Sequence, residues 1–175
     1  MRSGVWKGRF DRVNVTLTKM TPAEYAAFCE RSAADYASDL LKTQSLSPED
    51  ALSKARQELA DMLPLGADTP GHFLMTIRDA SDGQPVGLIW YLYEQTDDVN
   101  QVFLSDFLID EAHRRKGYAT AALAEMARLA KAGGCNESVV YVWEHNLPGI
   151  RLYEKCGYVA FRRADDGMFL KKNIG

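Results

Sequence analysis

A short basic segment in the second half of the chain has the composition of a phosphate-binding loop. It consists of Arg114, Arg115, Lys116, Gly117, Tyr118, Ala119 and Thr120, and a helical pattern follows it. The start of a helix leaves backbone N–H groups unpaired at the positive end of the helix dipole, and such groups bind phosphate. Gly117 and Ala119 leave the backbone accessible, while Thr120 offers a hydroxyl. We expect a phosphate or pyrophosphate site here; the alternative is an ordinary basic helix start with a turn glycine.

Two common nucleotide-binding patterns, GxxxxGK[ST] and GxGxxG after a first strand, are absent, so neither of those sites is indicated. The spacing RxxGxA, formed by Arg114, Gly117 and Ala119, resembles instead the [QR]xxGx[GA] loop of the GNAT superfamily of N-acetyltransferases. A second segment, Asn146 to Tyr158, resembles the second signature of that family, in which an Asn leads into a helix carrying LYEKxG and an aromatic residue. Together these segments make the chain similar to the family from about Val13 to the C-terminus.

The resemblance implies that acetyl-CoA donates an acetyl group to a primary amine, which attacks the thioester directly. The cosubstrate would lie between splayed fourth and fifth strands, with Leu108 and Ile109 beside it and its pyrophosphate on Arg114 to Thr120. A backbone N–H freed by a bulge around Leu108 would stabilise the oxyanion. Asn146 would contact the pantetheine arm, or act as a plain helix cap. Because the acceptor's identity cannot be read from the sequence, it is left open.

By the same resemblance, Tyr153 would contact the cosubstrate and protonate the leaving thiolate. An ordinary phenol has a pKa of ~10 and a thiol like that of cysteine has one of ~8.5, so the transfer needs little perturbation. The alternative for Tyr153 is a packing aromatic residue beside Leu152. An acyl-CoA-binding sensor without turnover is the alternative function, and an intact Tyr153 favours the enzyme.

The general base is the role that the sequence constrains least. The family often uses a carboxylate on the fourth strand, and Asp106 lies there, eight residues before Arg114. Ser105 occupies the neighbouring position, where related enzymes often carry Glu, and a structural role in an ion pair is the alternative for Asp106. Glu144 and His145, just past the fifth strand, are the other candidates. No His has a partner at metal-ligand spacing, so we expect no metal.

The composition of the chain limits the number of domains and the kinds of partner that we expect. The 175 residues are 46% hydrophobic and 26% charged, which is typical of one globular domain spanning 1–175. Residues 1–12 are expected to be disordered or extended. The formal charge of −3 argues against a nucleic-acid partner, and the longest apolar run, Pro85 to Tyr93, is too short to span a membrane. We therefore expect a cytoplasmic protein that binds acetyl-CoA and an amine, with a homodimer as a further expectation from the resemblance.

The element pattern predicts a mixed α/β (α+β) fold in the order β-α-α-β-β-β-α-β-α-β-β. The pattern predicts a long helix from Tyr118 to Ala132 and a short one from Leu147 to Lys155, while Thr21 and Ser47 precede two earlier helices. The central strands of this pattern are His72 to Ile77, Val86 to Tyr93, Val102 to Ile109 and Ser138 to Trp143. The resemblance adds a mostly antiparallel central sheet of six to seven strands, with about four helices around it and splayed fourth and fifth strands.

Overall fold

A computed structural model of the protein describes residues 13–97 and 99–175. The prediction for residues 1–12 lies outside the described residues. Within the described part, the strands are β1 (Val15–Lys19), β2 (His72–Asp79), β3 (Pro85–Gln95), β4 (Asn100–Ile109), β5 (Glu137–Trp143), β6 (Val159–Arg163) and β7 (Gly167–Asn173). The helices are α1 (Pro22–Thr43), α2 (Pro48–Met62), α3 (Tyr118–Ala132) and α4 (Leu147–Lys155). This order is the one that the sequence predicts.

The described strands form one seven-stranded sheet in the order β1-β2-β3-β4-β5-β7-β6. Its neighbours are antiparallel except for β4 and β5, which run parallel. This pair is hydrogen-bonded only between residues 101–104 of β4 and 137–140 of β5, although both strands continue further. The predicted mixed sheet and the splay of its fourth and fifth strands are therefore confirmed.

The starts of α1 and α2 follow from local hydrogen bonds that the sequence predicts. Glu24 N–H donates to Thr21 Oγ1 at 3.2 Å, and Thr21 N–H donates to Glu24 Oε2 at 2.8 Å, which completes a capping box. At α2, Asp50 N–H donates to Ser47 Oγ at 3.1 Å. Arg78 of β2 also pairs with Glu24 at 2.6 Å, so the beginning of α1 is fixed against the sheet.

The two faces of the sheet pack against different helices. Successive residues of a strand point to opposite faces. Tyr91 of β3 belongs to the large core that includes Met126 of α3, whereas Trp90 packs with Phe28 of α1. The α1–α2 pair thus covers one face and α3 the other, which leaves the opening between β4 and β5 accessible to residues from both layers. Within residues 13–97 and 99–175, the helices are all too short or too polar to span a membrane.

Candidate active site

The predicted phosphate-binding segment enters α3 through backbone that L residues rarely adopt. Gly117 is the N-cap of α3 with φ +96, and no side chain from residues 13–97 or 99–175 caps this helix start. Glycine is needed for this φ rather than for space, since a Cβ there would lie 3.7 Å from Val13. The first intrahelical bond runs from Ala121 N–H to Gly117 O. The N–H groups that precede it, at residues 118–120, are therefore available to a ligand.

The basic side chains of this segment brace the loop. Arg114 Nε donates to Ile109 O at 3.0 Å, and Lys116 Nζ donates to Ala112 O at 2.8 Å. Arg115 has φ +61 and is the one non-glycine residue with a positive φ in the described part of the chain. Backbone conformations of this kind cluster at ligand-binding sites. The three positive charges stay beside the helix start, but two of them donate to backbone carbonyl groups, that of Ile109 at the end of β4 and that of Ala112.

Two contacts fix the start of α3 to its surroundings. Tyr118 Oη donates to a carboxylate oxygen of Asp79 at the end of β2. Hydrogen bonds from Ser81 and Tyr118 lower the pKa of Asp79 to about 2, so this acceptor is ionised. On the other side, Cys156 Sγ lies 4.0 Å from Thr120 Oγ1. The two segments that carry the family resemblance therefore meet in space, although the sequence separates them.

Among the described residues, no strand pairs with one edge of β4 beyond the point where β5 departs. Asp110 N–H donates to Val86 O of β3 at 2.9 Å, and a Cβ at Gly87 would lie 2.2 Å from Leu108 O. The backbone of Leu108 therefore faces β3. Because alternate residues of a strand direct their backbone groups to opposite neighbours, Ile109 faces the opening. Of the two residues that the sequence places beside a cosubstrate, the geometry favours Ile109.

The prediction of a bulge around Leu108 is wrong: β4 has its bulge at Ser105. Leu108 pairs with Leu88 in regular register, and the register shift leaves Ser105 as the extra residue of β4. It lies directly after the last residue of β4 that pairs with β5, and a bulge bends and twists its strand at such a point. One consequence is that Ser105 and Asp106, which are neighbours in sequence, line the same cavity.

Tyr153 is buried on α4 with a hydroxyl that is free to donate. Its side chain is 7% exposed, and the ring of Tyr158 lies 5.5 Å away in an edge-on arrangement. No hydrogen bond joins Tyr153 Oη to another residue within the ranges that the structure describes. Burial raises the pKa of Tyr153, with further contributions from Tyr158, Asp106 and Cys156. The phenol therefore remains protonated at any ordinary assay pH.

Asn146 caps α4, as one of its two predicted roles requires. Gly149 N–H donates to Asn146 Oδ1 at 3.0 Å. A Cβ at Gly149 would lie 2.7 Å from Asn146 Nδ2, so the glycine makes room for this cap. The contact of Asn146 with a pantetheine arm stays a prediction.

Asp106 stands out among the candidate bases. It is half-buried, and Ser32 Oγ of α1 donates to its Oδ2 at 2.8 Å. Burial raises the pKa of Asp106, while the hydrogen bond from Ser32 opposes part of this shift. Glu144 is exposed at the end of β5, and His145 Nε2 lies 2.7 Å from Asp39 Oδ1. Of these candidates, Asp106 lines the cavity described next and the other two do not.

A cavity of about 260 Å³ opens between α1, α2 and the strands β3, β4 and β5. Its walls carry the carboxylates of Asp35, Asp39, Glu58 and Asp106 together with the indole rings of Trp90 and Trp143. No lysine or arginine is among the described residues that line it. Carboxylates together with aromatic faces suit a positively charged ligand.

The contribution of α1 to this cavity is not among the sequence-based predictions. Ser32, Asp35, Tyr36 and Asp39 recur at helical spacing and therefore share one face of α1. That spacing was the available signal. Polar residues on a helix are usually solvated, however, and nothing in the sequence shows that this face lies opposite Asp106.

Comparisons with known proteins point to one family and one fold. The model of the Acetyltransferase (GNAT) family matches residues 35–158, a range that includes both motif segments. The chain is 31% identical over 146 residues to the uncharacterised N-acetyltransferase YycN of Bacillus subtilis, covering 83% of this chain and 93% of YycN. The crystal structure of YycN gives a TM-score of 0.77 and covers 87% of this chain and 94% of that one.

Two more distant structures share the fold. The PaiA N-acetyltransferase of Thermoplasma acidophilum, solved in complex with coenzyme A, gives a TM-score of 0.68 at 15% identity, covering 91% of this chain and 99% of that one. The spermidine N-acetyltransferase of Vibrio cholerae, solved with CoA and spermine, gives 0.63 at 14% identity, covering 91% and 95%. At these identities the likeness concerns the fold alone.

Proposed function

Because the chain belongs to the acetyltransferase (GNAT) family, we propose that it transfers an acetyl group from acetyl-CoA to a primary amine of a cationic acceptor. The observation that carries the proposal is the carboxylate-lined cavity, since Asp106 lies in it and is also close enough to Tyr153 to raise the pKa of that phenol. The candidate base thus lies in the cavity, and its charge acts on the candidate acid in α4.

In this proposal the cosubstrate binds along the parted strands. The free N–H groups at the start of α3 and the positive charges beside them suit a pyrophosphate. The open edge of β4, to which Ile109 contributes, suits the amide groups of a pantetheine arm. In the same proposal, Asn146 at the start of α4 and Tyr153 within it contact the cosubstrate from the side of that helix.

The reaction moves three protons: one leaves the ammonium group, one leaves the nitrogen as the amide forms, and one reaches the departing sulfur. An alkylammonium group has a pKa of ~10, and a carboxylate with a raised pKa is a better base for it than an ordinary one, so Asp106 accepts the first proton directly or through water. The amine nitrogen then bonds to the carbonyl carbon while the carbon–sulfur bond breaks, and the second proton of the nitrogen passes through water to replace the one that Tyr153 gives to the sulfur. Backbone N–H groups of the open β4 edge stabilise the charge that develops on the carbonyl oxygen.

Tyr153 supplies the proton for the departing sulfur. The raised pKa of Tyr153 makes donation harder than from a phenol in water. A thiolate that forms in the same buried site is, however, also more basic than in water, because burial disfavours both charged forms. The difference between the two groups therefore changes less than either pKa alone.

The test is an acetyl-transfer assay with purified protein. Acetyl-CoA is combined with spermidine, with a linear diamine or with an alkyl monoamine that carries no second charged group. The released CoA thiol is followed with a thiol-reactive chromophore. We expect thiol release with the cationic amines at a higher kcat/KM than with the monoamine. Binding of CoA without thiol release for any amine would contradict the proposal and favour the sensor. An Asp35→Asn variant should raise KM for spermidine more than KM for the monoamine.

A further inference from the structure

We propose that Ser32 positions the general base: its hydroxyl, reaching from α1, holds the Asp106 carboxylate in the orientation and charge state in which it accepts the acceptor's proton. This inference rests on the proposed function, in which Asp106 is the base.

The contact joins two distant elements through one short hydrogen bond. Ser32 Oγ donates to Asp106 Oδ2 at 2.8 Å across 74 residues of sequence. A serine in the middle of a helix commonly returns its hydroxyl to a carbonyl group of the same helix. Ser32 lies in the middle of α1, and its hydroxyl bonds Asp106 instead.

The helix that carries Ser32 is well fixed. Phe28, one turn before it, is 1% exposed, and Ala33 directly after it is also 1% exposed. The capping box and the Arg78–Glu24 pair anchor the start of the same helix. A donor held in this way restricts the rotation of the Asp106 carboxylate, and the bulge at Ser105 turns both groups toward one cavity.

Several groups around Asp106 affect its pKa, and the hydrogen bond from Ser32 is one of the main ones. Burial raises the pKa of Asp106, and the hydrogen bond from Ser32 is the largest effect that lowers it. Arg31 lowers it further and Asp35 raises it, both from α1, while the charge of Asp106 in turn raises the pKa of Tyr153 on α4. The other carboxylates on the cavity wall are Asp39 and Glu58. Without the hydroxyl, the carboxylate would remain protonated to a higher pH.

A purely structural link between α1 and β4 predicts something different. Its loss would lower stability and would reduce kcat by the same factor at every pH. A positioning role instead moves the pH at which the base becomes active. The pH profile of kcat/KM therefore separates the two.

The experiment compares Ser32→Ala with a matched pair, Ser32→Thr and Ser32→Val, using acetyl-CoA and spermidine. Alanine is the best helix former, so the first variant should fold. A hydrogen bond to a charged group is worth roughly a factor of ten or more, so we expect the acidic limb of kcat/KM to move up by about one pH unit. Thr keeps the hydroxyl and should keep the profile. Val has the shape of Thr without the hydroxyl and should behave like Ala, which decides the question even if Ser32→Ala unfolds.

Asp106→Asn distinguishes failure of this inference from failure of the proposed function. In that background, Ser32→Ala should cause no further change, since the base on which it acts is gone. If Asp106→Asn removes the acidic limb while Ser32→Ala and Ser32→Val leave it in place, Ser32 has no positioning role and Asp106 remains the base. If Asp106→Asn leaves the limb unchanged, Asp106 is not the base, and the inference about Ser32 is overturned with it. The absence of thiol release by the wild-type protein would overturn the proposed function itself.

Discussion

Replacing Tyr153 with Phe should remove most of the acetyl transfer while leaving the fold as stable as before. The hydroxyl of Tyr153 forms no hydrogen bond with another described residue, so its loss leaves no buried group unpaired. The ring keeps its packing against Tyr158, 5.5 Å away. We expect the free energy of unfolding to change by less than about 0.5 kcal/mol. A general acid typically contributes about 10²- to 10⁴-fold, so kcat should fall within that range.

Tyr158→Phe is the matched control, because the Tyr158 hydroxyl forms a buried hydrogen bond but has no proposed role in the reaction. Tyr158 Oη and Ser138 Oγ are 2.7 Å apart, and the two residues are 3% and 0% exposed. Phe at 158 would leave the Ser138 hydroxyl buried without a partner, at a cost of about 1–3 kcal/mol. The melting temperature should fall by roughly 2–4 °C for each kcal/mol. We expect kcat to stay within about twofold of the wild-type value.

The two variants need one activity assay and one unfolding assay. Thiol release at saturating acetyl-CoA across the pH range gives kcat, and urea unfolding gives the free energy of unfolding. A Tyr153→Phe protein with unchanged kcat at every pH would show that Tyr153 is not the acid. Equal losses of stability in both variants would refute the reasoning from their hydrogen bonds.

Three further predictions follow from the geometry. Gly117→Ala should cost about 1–2 kcal/mol, because the alanine either strains the positive φ or reshapes the loop; the loss should appear partly in the free energy of unfolding and partly in CoA binding measured by calorimetry. Gly71→Ala is the control: Gly71 has φ +77 and open space around it, so this variant should lose stability alone. Burial raises the pKa of Asp106, so ionisation of this carboxyl destabilises the native state. The free energy of unfolding of the wild-type protein, measured by urea titration, should therefore fall as the pH rises from about 4. Asp106→Asn should remove that fall. Asn146→Ala removes the side-chain oxygen that accepts from Gly149 N–H and should cost about 1 kcal/mol of cap energy, measured by thermal unfolding. An Asn146→Ala protein as stable as wild type would contradict the importance of this cap.

Much of the fold could be predicted because its signals are local. The capping box at Thr21 and the serine cap at Ser47 are hydrogen bonds between residues three apart, so the sequence contains both partners. The bounds predicted for the helices at 118–132 and 147–155 are those observed. The loop and helix that carry the family resemblance are likewise continuous segments, and each begins at a recognisable helix start.

The position of the β4 bulge could not be predicted in the same way. Ser105 pairs with neither Trp90 nor Tyr91 of β3, and it follows the last residue of β4 that pairs with β5. The position of the bulge therefore depends on the two neighbouring strands. The residues around Leu108 and those around Ser105 offer similar strand patterns. Register between strands is a property of the assembled sheet.

The sequence by itself determined the order of the elements, the helix starts and the family to which the chain is similar, because these depend on residues that are close together in the chain. The tertiary structure alone decided which residues share the cavity, since Ser32 and Asp106 meet across 74 residues. It also decided that the Tyr158 hydroxyl bonds Ser138, whereas the Tyr153 hydroxyl bonds none of the described residues. Such contacts arise from packing two helices and a splayed sheet against one another, and no spacing within one segment encodes them.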